Sequence, residues 1–239
     1  MGDKRLRLHA KNGCTGARVR LVAMAFGLAP TLCASLPALA AHPHEGAWIA
    51  AARIIKDGGW SGSGIYFQKG LVITAAHLTD AHANMGVQLA SQNIPVTVLR
   101  QGAFEDVDLS LLAIAKENMP AKITLPEVEL CQSPPWPGDP VIVVDAERAT
   151  RSHIASPQLL PFSLRNKFTS LIADVATTGN SGSGVFDPHR KCLLGIMSRK
   201  FMADEGKKDI AKYFVPANVI REFLPPEFRS PRNTGRPID

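Results

Sequence analysis

Thr178-Gly179-Asn180-Ser181-Gly182-Ser183-Gly184-Val185-Phe186 is the stretch on which the reading of this chain turns. Three glycines close around a serine and an apolar pair follows at once, the pattern of a tight loop running into a strand. Glycine adopts positive φ without steric cost and lets another backbone come close. A serine hydroxyl is a weak nucleophile alone, so the loop carries chemistry only with a base and a group to orient it. Two other stretches offer these. Leu71-Val72-Ile73-Thr74-Ala75-Ala76-His77 reads as an apolar strand ending in a histidine, and Asp106-Val107-Asp108-Leu109-Ser110-Leu111-Leu112 sets a carboxylate at the head of another.

The pieces T-A-A-H, D-L-S-L-L and G-N-S-G-S-G, in the chain order His, Asp, Ser, resemble the trypsin-like (chymotrypsin-fold) serine proteases of the bacterial secreted type. The order is informative because the same chemistry recurs on unrelated folds in other orders. The resemblance covers about residues 55–224. It implies an all-β chain of two six-stranded antiparallel β-barrels with a short C-terminal helix and the active site in the cleft between them. It further implies His77 as general base, Asp108 as the carboxylate that orients it, and Ser181 as nucleophile. The backbone N–H groups of Gly179 and Ser181 match the oxyanion-hole positions. By alignment on Ser181, Val175 falls near the base of the primary specificity pocket, with Asp174 beside it, and Ser198 matches the strand that pairs with substrate backbone.

Each of these residues has a competitor. Ser183 also lies between glycines, but G-x-S-G fits Ser181. Asp106, two residues before Asp108, would share its strand face, whereas Asp108 directly precedes the apolar run. His82 follows the strand in a polar stretch and reads as a surface histidine.

The local patterns agree with a β architecture. Apolar runs at 64–67, 71–74, 96–99, 109–114, 141–144, 169–173, 184–186, 193–198 and 213–215 are separated by turn signals, and Gln68-Lys69-Gly70 reads as a hairpin turn. Residues 75–90 are expected to hold a short helical turn. Pro134, Pro135, Pro137 and Pro140 form a stiff connector that cannot lie inside a sheet. A closing helix is expected over 216–224, stopped by Pro225-Pro226. These features divide the chain into a leader at 1–40 and a protease domain at 41–239. The first barrel then covers about 45–130, the second about 140–224, and a loose tail 227–239.

The leader is read from its charges. Lys4, Arg5, Arg7, Lys11, Arg18 and Arg20 precede an uncharged run ending in Ala38-Leu39-Ala40, the pattern of a signal peptide cut after Ala40. A retained membrane anchor is the alternative, since about twenty uncharged residues can span a bilayer. The formal charge of +6 sits largely in this leader. The remainder is close to neutral, which speaks against nucleic-acid binding; with the leader removed, no stable membrane association is expected. A secreted or periplasmic location follows. Cys131 and Cys192 remain after cleavage and would pair in an oxidising compartment, or else stay as two buried thiols. His42 and His44 lack a third ligand and H-E-x-x-H is absent, so neither a metal nor a cofactor is expected.

One position departs from the digestive members of the resembled family. They carry an aspartate before the nucleophile that pairs with a newly cut terminus; here it is Asn180, which forms no such ion pair. The serine loop should then be held by hydrogen bonding. Asn180 resembles the HtrA-type and glutamyl-endopeptidase-like branches, and Ser183-Gly184 leans toward the latter. Met197 stands where glutamate-specific relatives have histidine, which argues against that specificity; Arg199 and Lys200 are either pocket-rim charges or exposed loop charges. The expected function is a serine endopeptidase acting on protein or peptide substrates. The alternative is a catalytically idle, protease-like binding module.

Overall fold

Tight turns with left-handed backbone set the strand pairing. The structure is a computed structural model and describes residues 49–119, 124–173, 179–203 and 208–229. The expected signal peptide, Val175 with its neighbour Asp174, and the tail beyond residue 229 lie outside the described residues. Asp57 (φ 50°) and Gly58 (φ 80°) join β1 (Ala51–Lys56) to β2 (Gly59–Gln68), and Lys69 (φ 49°) and Gly70 (φ 80°) join β2 to β3 (Leu71–Thr74). Two successive positive φ values match the right-handed twist of the paired strands. Ala90 and Ser91 do the same between β4 (Met85–Leu89) and β5 (Gln92–Gln101), without a glycine. With β6 (Ser110–Ile114) these strands close a barrel in the order β1-β2-β3-β6-β5-β4.

The second barrel repeats the architecture. Its strands are β7 (Pro140–Val144), β8 (Ala149–Ala155), β9 (Leu171–Ile172), β10 (Gly184–Asp187), β11 (Cys192–Ala203) and β12 (Lys208–Pro216), closed as β10-β11-β12-β9-β8-β7. The named strand pairs of both barrels run antiparallel. A closing helix, Ala217–Phe223, follows β12 and ends before Pro225. Two six-stranded barrels and a short terminal helix are the expected fold. The helical turn expected in 75–90 is confined to a 3₁₀ turn at Ala76–Leu78, and the rest of that stretch supplies β4. The stretch expected to be a loose tail begins with a 3₁₀ turn at Pro226–Phe228, where Gln68 Nε2 donates to the Phe228 carbonyl.

Three apolar clusters explain why the strands read as continuous runs rather than alternations. Inside the first barrel Ile54, Tyr66, Val72, Val87 and Leu112 pack together; inside the second, Val141, Val143, Ile154, Val185, Leu194 and Phe214 do so. A third cluster lies between the barrels and joins Ile65, Leu71, Ile73, Leu109 and Leu111 to Ile142, Phe186, Leu193, Ile196 and Val215. Successive strand residues face opposite sides. In β3, Leu71 and Ile73 therefore face the second barrel while Val72 fills the first, and the whole run is buried.

The segment joining the barrels is tied to β11. Cys131 N–H donates to the Leu193 carbonyl at 3.0 Å, and Cys131 and Cys192 form a disulfide across 61 residues. Closing a loop of that length removes about 4 kcal/mol of entropy from the unfolded chain. Replacing both cysteines by serine is expected to lower unfolding free energy by about that amount, read from urea titrations of the oxidised protein and the variant. Equal midpoints would contradict it.

Candidate active site

The ends of strands from both barrels meet along the interbarrel cluster. The 3₁₀ turn after β3 presents His77. Thr79 Oγ1 holds that turn, donating to the Ala76 carbonyl at 3.0 Å and sharing a 2.7 Å hydrogen bond with Ser110 Oγ. Gln101 Nε2 donates to the carbonyls of Ala76 and Thr79. Asp108 stands just before β6, on a loop that doubles back so closely that a Cβ at Gly102 would strike the Val107 carbonyl oxygen. Asp106 lies in an exposed turn of this loop rather than on a strand, so the alternation expected to align it with Asp108 does not apply. His82 is exposed, its N–H bound to Asp80.

Asp108 is fully buried and its two oxygens carry four hydrogen-bond contacts. His77 Nδ1 donates at 2.9 Å to Oδ2 and lies 3.1 Å from Oδ1; the His77 N–H donates to Oδ1 at 3.1 Å. Ser198 Oγ donates to Oδ2 at 2.6 Å. Burial pushes the Asp108 carboxyl up, but the bonds from the His77 ring, the Ser198 hydroxyl and the His77 backbone outweigh it, and the net effect holds the group below the ordinary aspartate range. A bulge in the β11–β12 pairing between Met197 and Arg199 lies at Ser198; bulges next to functional sites re-aim side chains.

Ser181 lies on the loop before β10. Its hydroxyl donates to the Ser198 carbonyl at 3.4 Å, so Ser198 meets Ser181 through its main chain and Asp108 through its hydroxyl. Among the described residues no hydrogen bond joins Ser181 directly to His77. Gly182 (φ 81°) packs its backbone against the first barrel, where a Cβ would collide with the Ser63 carbonyl and Thr74 Oγ1. The Ser181 carbonyl accepts from Ser63 N–H at 3.0 Å, and Gly182 N–H donates to the Met197 carbonyl at 2.8 Å. The N–H groups of Gly179 and Ser181 donate to no group among the described residues. Asn180 is exposed and its side chain makes no hydrogen bond among the described residues, whereas its carbonyl accepts from Ser183 Oγ at 2.6 Å.

Two neighbours, Phe104 and Lys212, carry no sequence expectation, and a third, Arg199, takes a place the sequence does not give it. Phe104 packs its ring edge-on to His77 with centroids 5.4 Å apart, and Arg199 lies 4.0 Å over that ring while bonding the Phe104 carbonyl. Arg199 thus links β11 to the Asp108 loop; it is half-buried rather than a free loop charge. Lys212, on β12, donates from Nζ to the Gly179 carbonyl at 2.6 Å. Burial pushes the Lys212 ammonium down, against the pull of Asp209. A lysine inside the apolar run Ile210-Ala211-Lys212-Tyr213-Phe214-Val215 was the one available signal.

A family model described as the trypsin-like peptidase domain matches residues 62–196. Among solved structures, the active form of the Rv3671c protease from M. tuberculosis superposes with a TM-score of 0.55 at 18% identity, covering 84% of this chain and 92% of that one. Kallikrein-related peptidase 10 superposes with a TM-score of 0.57 at 16% identity, covering 72% and 91%. At such identities the likeness speaks to the fold. No curated protein sequence matches the chain.

The depressed Asp108 pKa makes a signed prediction. A carboxylate more acidic in the folded than in the unfolded chain stabilises the fold above the unfolded pKa, and that contribution disappears as pH falls through the folded value. The stability gap between wild type and Asp108→Asn should therefore be widest above about pH 5 and narrow towards pH 3. Urea titrations across that range read it, and a gap that stays constant would contradict it.

Proposed function

Because this chain belongs to the trypsin-like peptidase family, a serine peptidase by fold and family, we propose that it is an exported endopeptidase working through His77, Asp108 and Ser181 and an acyl-enzyme intermediate. The observation that carries this reading is the bonding of buried Asp108 to His77 and to Ser198, whose carbonyl the Ser181 hydroxyl meets, beside two N–H groups that donate to no group among the described residues. Ser181 Oγ turns from the Ser198 carbonyl to His77 Nε2 as substrate enters; such contacts commonly tighten only in the substrate complex. His77 takes the hydroxyl proton while Oγ bonds the scissile carbonyl carbon. The ionised Asp108 stabilises the resulting imidazolium and keeps the Nδ1 proton in place. The Gly179 and Ser181 N–H groups receive the oxyanion, each worth about 3 kcal/mol of transition-state stabilisation. His77 then hands the proton to the leaving amine, and water repeats the sequence to release the acyl group.

Activation needs no terminal ion pair in this reading, because Asn180 carries no charge and the carbonyls of its loop accept hydrogen bonds from Lys212, Ser183 and Ser63. Export rests on the basic leader and Ala38-Leu39-Ala40. A second reading, an idle protease-like binding module, draws on the missing direct Ser181–His77 hydrogen bond.

A fluorophosphonate probe separates the two. The folded protein should label at Ser181, and Ser181→Ala or His77→Ala should lower turnover by roughly four to six orders of magnitude, since the three groups act as a unit. An unlabelled folded protein would exclude the enzyme reading, and a variant retaining a tenth of the activity would refute the assignment of that residue. N-terminal sequencing of exported protein should begin at Ala41; an intact leader would point to a retained anchor.

A further inference from the structure

Three successive carbonyls around Ser181 are gripped from three directions. The Gly179 carbonyl accepts from Lys212 Nζ at 2.6 Å, the Asn180 carbonyl from Ser183 Oγ at 2.6 Å and Ser183 N–H at 3.1 Å, and the Ser181 carbonyl from Ser63 N–H at 3.0 Å. A peptide unit is planar and trans, so its N–H points opposite to its C=O. The Asn180 carbonyl and the Ser181 N–H belong to one such unit. Whatever holds that carbonyl therefore aims the N–H. Ser183 is fully buried, and its side chain also lies against Gly179, where an added Cβ would come within 2.9 Å of Ser183 Cβ. Lys212 holds the preceding unit, made of the Gly179 carbonyl and the Asn180 N–H, and so fixes the plane from which the Ser181 unit continues.

We propose that Ser183 and Lys212 are positioning residues that lock the two peptide planes between Gly179 and Ser181, so that the Ser181 N–H is held in the direction of the developing oxyanion. This rests on the function proposed above and goes beyond it. The lock comes from within the second barrel and from the loop itself. It supplies the rigidity that the exposed, uncharged Asn180 cannot provide through its side chain. Without the Ser183 hydroxyl, the Asn180 carbonyl keeps only the longer bond from Ser183 N–H, and the unit can rotate. An oxyanion hole is effective because its donors are oriented before the reaction, so the loss falls on the transition state rather than on substrate binding.

The test uses the full chain with Ser183→Ala, Lys212→Met and the double variant. Steady-state hydrolysis of one fluorogenic peptide gives kcat and KM, and the inactivation rate by a fluorophosphonate, whose phosphoryl oxygen occupies the same hole, gives a second reading. Each single variant should lose about 10- to 100-fold in kcat, less than the ~10²–10³ for deleting a donor outright. KM should stay within about threefold, and the inactivation rate should fall in parallel with kcat. The double variant should lose less than the product of the singles, because both grips act on one loop. Folded variants that keep wild-type kcat and inactivation rate, or that change KM alone, would overturn the proposal. If Ser183→Ala does not fold, Lys212→Met decides it by the same readings. Wild-type protein that takes up no probe overturns the proposed function and this inference together. Labelled wild type with unchanged variants overturns this inference alone.

Discussion

Everything at the site depends on holding a short loop, residues 179–182, in one arrangement of peptide planes. A glycine-rich loop has many conformations of similar energy, and ordering its backbone costs about 1–2 kcal/mol per residue. That cost is met by hydrogen bonds arriving from both barrels, Ser63 from β2 and Lys212 from β12, with Met197 of β11 taking the Gly182 N–H. The positive φ of Gly182 and its backbone contact with Ser63 are conditions of the same arrangement. The loop is therefore as rigid as the contact between the barrels.

That contact is apolar. The interbarrel cluster around Leu71, Ile73, Leu111, Phe186 and Ile196 excludes water from one side of the polar site. Asp108 sits at its edge with no exposed surface, yet remains acidic because its hydrogen bonds outweigh the burial. In such surroundings an electrostatic interaction is stronger than in water. The imidazole stays partly exposed, at 29% of its side-chain surface, while Phe104 and Arg199 cover one flank. Fold and chemistry share one surface.

Legibility varied with the kind of signal. The runs that became β3, β6, β7 and β10 were plain because strands buried on both faces are apolar throughout. β4 reads Met85-Gly86-Val87-Gln88-Leu89, a fair alternation, but the turn after it uses Ala90 and Ser91 in left-handed conformation. Neither residue type announces such a turn, and the pattern of 75–90 points only to a short helical turn. β8, Ala149–Ala155, buries Ser152, Ile154 and Ala155 among polar residues and offers no apolar run. Spacing alone puts Asp106 on a strand face beside Asp108, but the tight backbone of the Gly102 loop leaves no strand there.

The sequence by itself determined the chain order of histidine, aspartate and serine, the glycines that let the serine loop close, and the alternation of strands and turns that builds two barrels. These are local properties, set by residue type and spacing along the chain. Only the tertiary structure decided that Ser198 donates to Asp108, that Arg199 bridges to the Phe104 loop, and that Lys212 reaches the Gly179 carbonyl. Such contacts join residues far apart in the chain, and their formation depends on barrel closure, strand register and one bulge. Those are cooperative outcomes of packing that no short window of sequence contains.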